Sequence, residues 1–224
     1  MTSPSPEPLR ILLLGANGRT GRQLLHRAAA RGHALTAVVR SADRLTDLEA
    51  SGPLPPGARA RVADPCDHAQ LADLLPGHDA VVSVLGPRLP TRRASRVYGD
   101  SAAAVVPAML ACDVRRLLVT SSALLFPTRR PLARVLRRLV PRIVEGAANM
   151  ETRIRASDLD WTIVRTSFLD DSDGPDRHEV SEDKAAAGAY GSAVSRAAVA
   201  GLLLEELETP RRVREVVGLY GRAQ

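Results

Sequence analysis

Leu9-Arg10-Ile11-Leu12-Leu13-Leu14-Gly15-Ala16-Asn17-Gly18-Arg19-Thr20-Gly21 is the stretch that decides the fold. Its first half is a continuous apolar run of strand length. Buried parallel strands look like this because helices cover both of their faces. Its second half spaces glycines as GxxGxxG. Gly15 permits a tight turn off the strand, Gly18 lets backbone amides approach a pyrophosphate, and Gly21 lets a helix pack closely. Gly18 to Arg31 then reads as a helix with Leu24, Leu25, Ala28 and Ala29 on one face, ended by Gly32. An anion resting on the loop meets N–H groups that lack partners inside the helix. A plain glycine-rich turn is the alternative. The context favours a phosphate loop, because the glycines follow an apolar strand, open a helix and belong to the first βα unit.

The same rhythm continues outward. Strands are expected at Ala34–Val39, Ala58–Ala63, Asp79–Leu85, Arg115–Thr120, Trp161–Arg165 and Val213–Tyr220. Helices are expected near Asp43–Ala50, His68–Leu75 and Ser95–Cys112, the last with Pro107 as a kink point. Leu132–Val140 reads as a loop-helix insert, followed by a helix to about Ala156 and another over Arg196–Glu208. Residues 166–194 read as irregular. The alternation predicts a single α/β domain: a Rossmann-like, doubly wound, mainly parallel sheet with helices on both faces. Residues 1–8 form a disordered lead and 9–222 the domain, with substrate-cover loops at 86–96, 122–145 and 166–194.

Composition bounds the function. The 224 residues suit one domain, and 45% apolar with 25% charged residues are ordinary globular values. No apolar run is long enough to span a membrane. The first eight residues lack the basic and apolar regions of a signal peptide, so the cytoplasm is the expected compartment. Cys66 and Cys112 are expected as thiols. The sequence pI is near 10.3, yet Lys184 is the only lysine, the arginines interleave with acids, and aromatics are 3%. That pattern lacks the clustered, aromatic-bearing face of a nucleic-acid binder, so no such partner is expected. One dense basic stretch runs from Arg129 to Arg142; its alternating arginines and leucines suggest an amphipathic helix serving as a lid, a partner surface, a membrane-surface contact or an ordinary solvated face. No Gly-x-Ser-x-Gly, His-Glu-x-x-His or Cys-x-x-Cys motif supports a hydrolase or zinc reading. The acidic run Asp170–Glu179 lacks the later ligands of a calcium loop, so no metal site is expected.

The end of the second strand speaks to nucleotide choice. An NAD site usually places Asp or Glu there for the ribose 2′-OH. This chain has Arg40, then Ser41, with Arg44 close by. A guanidinium matches a 2′-phosphate in charge and in forked donors, and Arg19 in the glycine loop adds a second contact. NADP(H) is therefore expected over NAD(H). The alternative is solvated arginines in an arginine-rich chain. The candidate cofactor residues are Gly15, Asn17, Gly18, Arg19, Thr20, Gly21, Arg40, Ser41, Arg44, Asp64, Ser83, Leu85, Gly86, Thr120 and Ser121. Asp64 has two readings, a contact to adenine or the N-cap of the next helix. Ser83-Val84-Leu85-Gly86 offers small residues where the chain passes the ribose and nicotinamide.

Gly15–Gly21, Val39-Arg40, Ser83–Gly86, Leu118-Val119-Thr120-Ser121-Ser122, Ser157–Arg165 and Val194–Ala200 together resemble the atypical short-chain dehydrogenase/reductase superfamily. The resemblance is to its small NAD(P)H-binding members, NmrA-like proteins and the biliverdin reductase B (flavin reductase) type, and covers nearly the whole chain after the lead. It implies a Rossmann fold and a nicotinamide cofactor, and says little about substrate. Two departures matter. Catalytic relatives use Tyr-x-x-x-Lys, but none of Tyr98, Tyr190 and Tyr220 has a lysine four residues on; before Met150-Glu151 the chain reads Gly146-Ala147-Ala148-Asn149. Many relatives follow strand six with Arg-Pro, where this chain has Arg165-Thr166.

Ser121 and Ser122 end the fifth strand. Either they hydrogen-bond a substrate carbonyl or they bond the strand end and the next turn. His178 has a pKa range suited to acid/base work in the substrate cover. His26 and His33 read as surface residues, and Glu151 reads as a helix-surface carboxylate, with a place in the site as its alternative. The expected function is an NADPH-dependent reductase of a small or aromatic organic molecule. The rivals are an NADP(H)-binding regulator without turnover and a non-redox isomerase or cyclase.

Overall fold

The computed structural model describes residues 7–50, 52–87, 91–127, 131–172, 178–182 and 193–221. The elements run β1 (Arg10–Leu14), α1 (Arg19–Ala30), β2 (Ala34–Val39), α2 (Ala42–Ala50), β3 (Ala58–Val62), α3 (His68–Leu74), β4 (Ala80–Ser83), α4 (Arg92–Ala111) and β5 (Arg116–Ser122). A 3₁₀ turn over Ala123–Leu125 leads to α5 (Pro131–Leu139), α6 (Pro141–Arg155) and β6 (Asp160–Thr166). Then follow β7 (Leu169–Asp170), β8 (His178–Glu182), β9 (Val194–Ser195), α7 (Arg196–Glu208) and β10 (Glu215–Gly221).

The main sheet has the order β3-β2-β1-β4-β5-β6-β10-β8. Every pairing from β3 through β10 is parallel, and β8 closes that edge antiparallel to β10. The sequence reading of 166–194 as irregular is thus corrected: β7 and β9 pair with each other, and β8 joins the sheet. The order is the doubly wound one, which reverses direction between β1 and β4 and opens a crevice at the carboxyl ends of those strands.

Alternation within β1 explains its apolar run. Leu12 and Leu14 enter one core layer with α3, α4 and α6, while Ile11 and Leu13 enter the other with α1, α2 and α7. Burying each of these side chains is worth about 1.5–3 kcal/mol, so any polar residue in the run would be costly. Gly32 sits at φ +85°, a left-handed conformation that ends α1 as expected. α4 runs through Pro107, whose ring is exposed. Two side chains depart from expectation. His33 is buried rather than on the surface; its Nδ1 accepts from the Leu9 N–H at 3.2 Å and its Nε2 bonds Glu208 Oε1 at 2.9 Å. Asp67, not Asp64, caps α3 by accepting from the Gln70 N–H.

Thr166 follows Arg165 with its N–H intact, and β6 continues through it, with Thr166 opposite both Ser122 and Leu219. The Thr166 hydroxyl also donates to the Ser121 carbonyl at 3.4 Å. No described helix is long and apolar enough to cross a membrane.

Candidate functional site

The glycine loop is shaped by close backbone approaches. Gly15 adopts φ +92°, and a Cβ there would lie 3.0 Å from the Val84 carbonyl. Gly21 is tighter still: a Cβ would lie 2.3 Å from the Gly15 oxygen and 2.8 Å from Ala16 Cα. Gly21 therefore packs helix α1 onto its own loop, a closer fit than helix-on-sheet packing alone. Gly18 is the N-cap of α1 and offers no side chain to cap it, and the first turn carries no acid. The N–H groups of that turn, Thr20 among them, and the positive end of the helix dipole are left for an anionic ligand.

Beside the loop, Asn17 Nδ2 donates to the Arg44 carbonyl. Asn17 Oδ1 is buried with no hydrogen-bond partner, an acceptor waiting for a donor. Arg40 is exposed at the end of β2. Ser41 Oγ accepts from the Arg44 N–H at 3.4 Å, and the Arg44 guanidinium pairs with Asp47 at 3.0 Å. Arg19 pairs with Asp171, whose other oxygen takes Arg196 at 2.7 Å. The glycine loop is thereby tied to the segment after β7. Asp64 is exposed and accepts from the Cys66 N–H at 2.9 Å. Burial, with the charges of Asp64 and Asp100, pushes the Cys66 thiol up to about 11, while Arg40 pulls the other way.

The parallel register brings the ends of β1, β4, β5 and β6 into one row, with Leu14 beside Ser83, Ser83 beside Val119, and Ser121 beside Arg165. Ser83 is buried, Leu85 and Thr120 are half-buried, and Gly86 is exposed. A Cβ on Gly86 would lie 3.5 Å from the Tyr98 hydroxyl. Tyr98 is buried, and burial followed by the Glu151 charge pushes its hydroxyl up to about 12, so it keeps its proton.

Ser121 Oγ donates to Glu151 Oε1 at 2.6 Å. Arg165 holds the same carboxylate through Nε to Oε1 at 2.9 Å and Nη2 to Oε2 at 2.6 Å, and its guanidinium lies 4.5 Å from the Phe126 ring centroid. This corrects the helix-surface reading of Glu151. A serine has one proton to give, and here Glu151 takes it, so toward a ligand Ser121 presents lone pairs only. Ser122 differs: its oxygen accepts from the Leu124 N–H at 3.3 Å, which leaves its own O–H to donate.

The row thus gathers Gly15–Gly21, Ser83–Gly86 and Thr120–Ser122, with Arg40–Arg44 and Asp64 at its β2–β3 end. The sequence reading missed Tyr98 and Arg165 as site residues, and for Glu151 the alternative reading, a place in the site, is the one the structure bears out. The helical position of Glu151 beside the buried Met150 was the available signal. The His178 backbone forms β8, but its side chain lies outside the described residues, as does Lys184. Among the described residues no cluster of three or more His, Cys, Asp or Glu is arranged to hold a metal.

Comparison with known proteins adds a family and a set of folds. A family model described as NAD(P)H-binding matches residues 15–210. Solved structures share the fold at low identity. A Rossmann-fold NAD(P)-binding family protein from Shigella flexneri is 24% identical, with 96% of this chain and 95% of that chain covered and a TM-score of 0.74. A short-chain dehydrogenase/reductase from Veillonella parvula in complex with NADP is 18% identical, covering 96% and 95%, with a TM-score of 0.74. ChuY, an anaerobilin reductase from Escherichia coli O157:H7, is 22% identical, covering 96% and 98%, with a TM-score of 0.73.

Proposed function

The chain belongs to the NAD(P)H-binding family, and from that premise we propose that it is an NADPH-dependent reductase of a small or aromatic organic substrate. The observation that carries the reading is the uncapped, acid-free start of α1 behind a loop in which Gly21 leaves no room for a Cβ and Gly15 adopts a left-handed backbone. Bound there, NADPH would supply a hydride. The amides of Gly15–Gly21 hold the diphosphate, and Asn17 offers its free oxygen to a ribose or base donor. Arg40, exposed and at the β2 end, takes the 2′-phosphate with Ser41 and Arg44 beside it, while Arg19 exchanges Asp171 for phosphate. Asp64 lies at the adenine end. A neighbour of the same fold that holds NADP supports the nucleotide class.

Ser83, Leu85, Gly86 and Thr120 line the path toward the redox end. Ser121, its proton committed to Glu151, accepts a hydrogen bond from the carboxamide or ribose. Ser122 donates to the substrate oxygen, and the protonated Tyr98 stands near Gly86 as a second donor. A neighbour of the same fold named as an anaerobilin reductase supports a small organic acceptor. The commitment of the Ser121 proton also favours a second reading, a nucleotide-binding regulator that does not turn over. Anaerobic NADPH oxidation against quinones, flavins and conjugated tetrapyrroles, with product analysis, separates them. Stoichiometric substrate reduction that falls in Ser122→Ala, with NADPH affinity kept, supports the reductase. Tight NADPH binding without oxidation of any acceptor supports the regulator.

A further inference from the structure

We propose that α5 docks the protein peripherally on an anionic lipid bilayer. The charge pattern is the first reason. The chain holds 31 basic and 25 acidic residues, and residues 129–142 contain six arginines and no acid. Outside that stretch of sequence the balance is therefore 25 against 25, and α5 itself carries three of its arginines, Arg134, Arg137 and Arg138, with no acid. A field so focused draws the molecule to a negative surface in one orientation.

The second reason is the apolar edge. Val135 and Leu139, one turn apart, are 52% and 69% exposed. Arg134 and Arg138, also one turn apart and both exposed, form the adjoining ridge. Leu136 is half-buried where α5 packs on α6 and the 3₁₀ turn. The helix thus rests on the body near Leu136 and leaves Val135 and Leu139 facing outward beside guanidinium groups. A bilayer interface supplies both partners at once: phosphates for the arginines and acyl chains for valine and leucine. Duplex nucleic acid offers phosphates but nothing for the apolar edge. α5 is too short to insert across a membrane, so the contact is interfacial. Because α5 follows Ser122 and the 3₁₀ turn, docking sets the carboxyl edge of the sheet close to the lipid surface. The proposal does not depend on nucleotide binding.

The full chain should co-sediment with vesicles of equal parts phosphatidylcholine and phosphatidylglycerol, and not with phosphatidylcholine alone. High salt should release it. Arg134→Glu with Arg138→Glu should lower partitioning at least about tenfold, since each charge near the surface counts. Arg134→Lys with Arg138→Lys should retain it, and Val135→Ser with Leu139→Ser should weaken it severalfold. All of these positions are exposed, so unchanged circular dichroism and thermal melting check that the variants are folded. No association with anionic vesicles overturns the proposal. So does association indifferent to these variants, or capture by duplex DNA or an acidic peptide without capture by vesicles.

Discussion

Arg165 grips both oxygens of Glu151 from the neighbouring element, with side chains only 11% and 4% exposed. The pair joins β6 to α6 and sets the direction of the Ser121 proton. Removing one partner strands a buried charge, which costs about 3–5 kcal/mol, whereas replacing both with apolar groups is far milder. Arg165→Leu should therefore lower the urea midpoint strongly, and Arg165→Leu with Glu151→Leu should recover most of the loss. A single variant as stable as the parent would contradict the buried-pair description.

Two left-handed or crowded glycines should separate folding from binding. Gly32→Ala meets nothing within 4 Å but holds φ +85°, so it should cost about 1–2 kcal/mol and leave nucleotide affinity intact. Gly21→Ala would press a methyl 2.3 Å from the Gly15 oxygen, so the loop must move and affinity should fall with stability. Thermal melts with and without nucleotide read both effects. Equal ligand-induced stabilisation in the two variants would count against the loop's role.

Cys66, held at about 11, should alkylate slowly at pH 8 and accelerate about tenfold per pH unit toward pH 10. Arg40 lowers that pKa, so Arg40→Gln should slow the reaction further. Mass-spectrometric mapping of iodoacetamide labelling distinguishes Cys66 from Cys112. Fast labelling of Cys66 near neutrality would contradict its raised thiol pKa.

Burial holds His78 below its ordinary 6.5; its Nε2 bonds Thr36 Oγ1 at 2.8 Å and its Nδ1 bonds the Leu75 carbonyl. The folded ring stays neutral while the unfolded one gains a proton near pH 6.5. Stability is thus full above that pH and declines as pH falls toward the lower folded-state value. Asp67, Asp79 and Asp170, all lowered, lose their contribution only below about pH 4, a separate window. Denaturation midpoints from pH 7 to pH 5 should slope for the parent and flatten for His78→Gln. Identical slopes would remove His78 as the cause.

The fold was legible because its signals are local and consistent. An apolar run flanked by Gly15–Gly21 can hardly be anything but a buried strand entering a helix, and the later βα units repeat that logic. The segment 166–194 was not legible, because β8 is made by pairing with β10, a contact far along the chain. Glu151 was misread for a similar reason. Carboxylates on helices usually face water, and only the register that sets Arg165 beside Ser121 reveals the charge that turns this one inward. His33 was misread because Glu208, its partner, lies on a distant helix.

The most direct test is calorimetric titration of the purified chain with NADP⁺ and NAD⁺, repeated in Arg40→Glu. Saturable binding with NADP⁺ preferred, and a preference that collapses or inverts in Arg40→Glu, is the predicted result. No affinity for either nucleotide in folded protein would contradict the phosphate loop, and equal losses for both in the variant would contradict the assignment of Arg40.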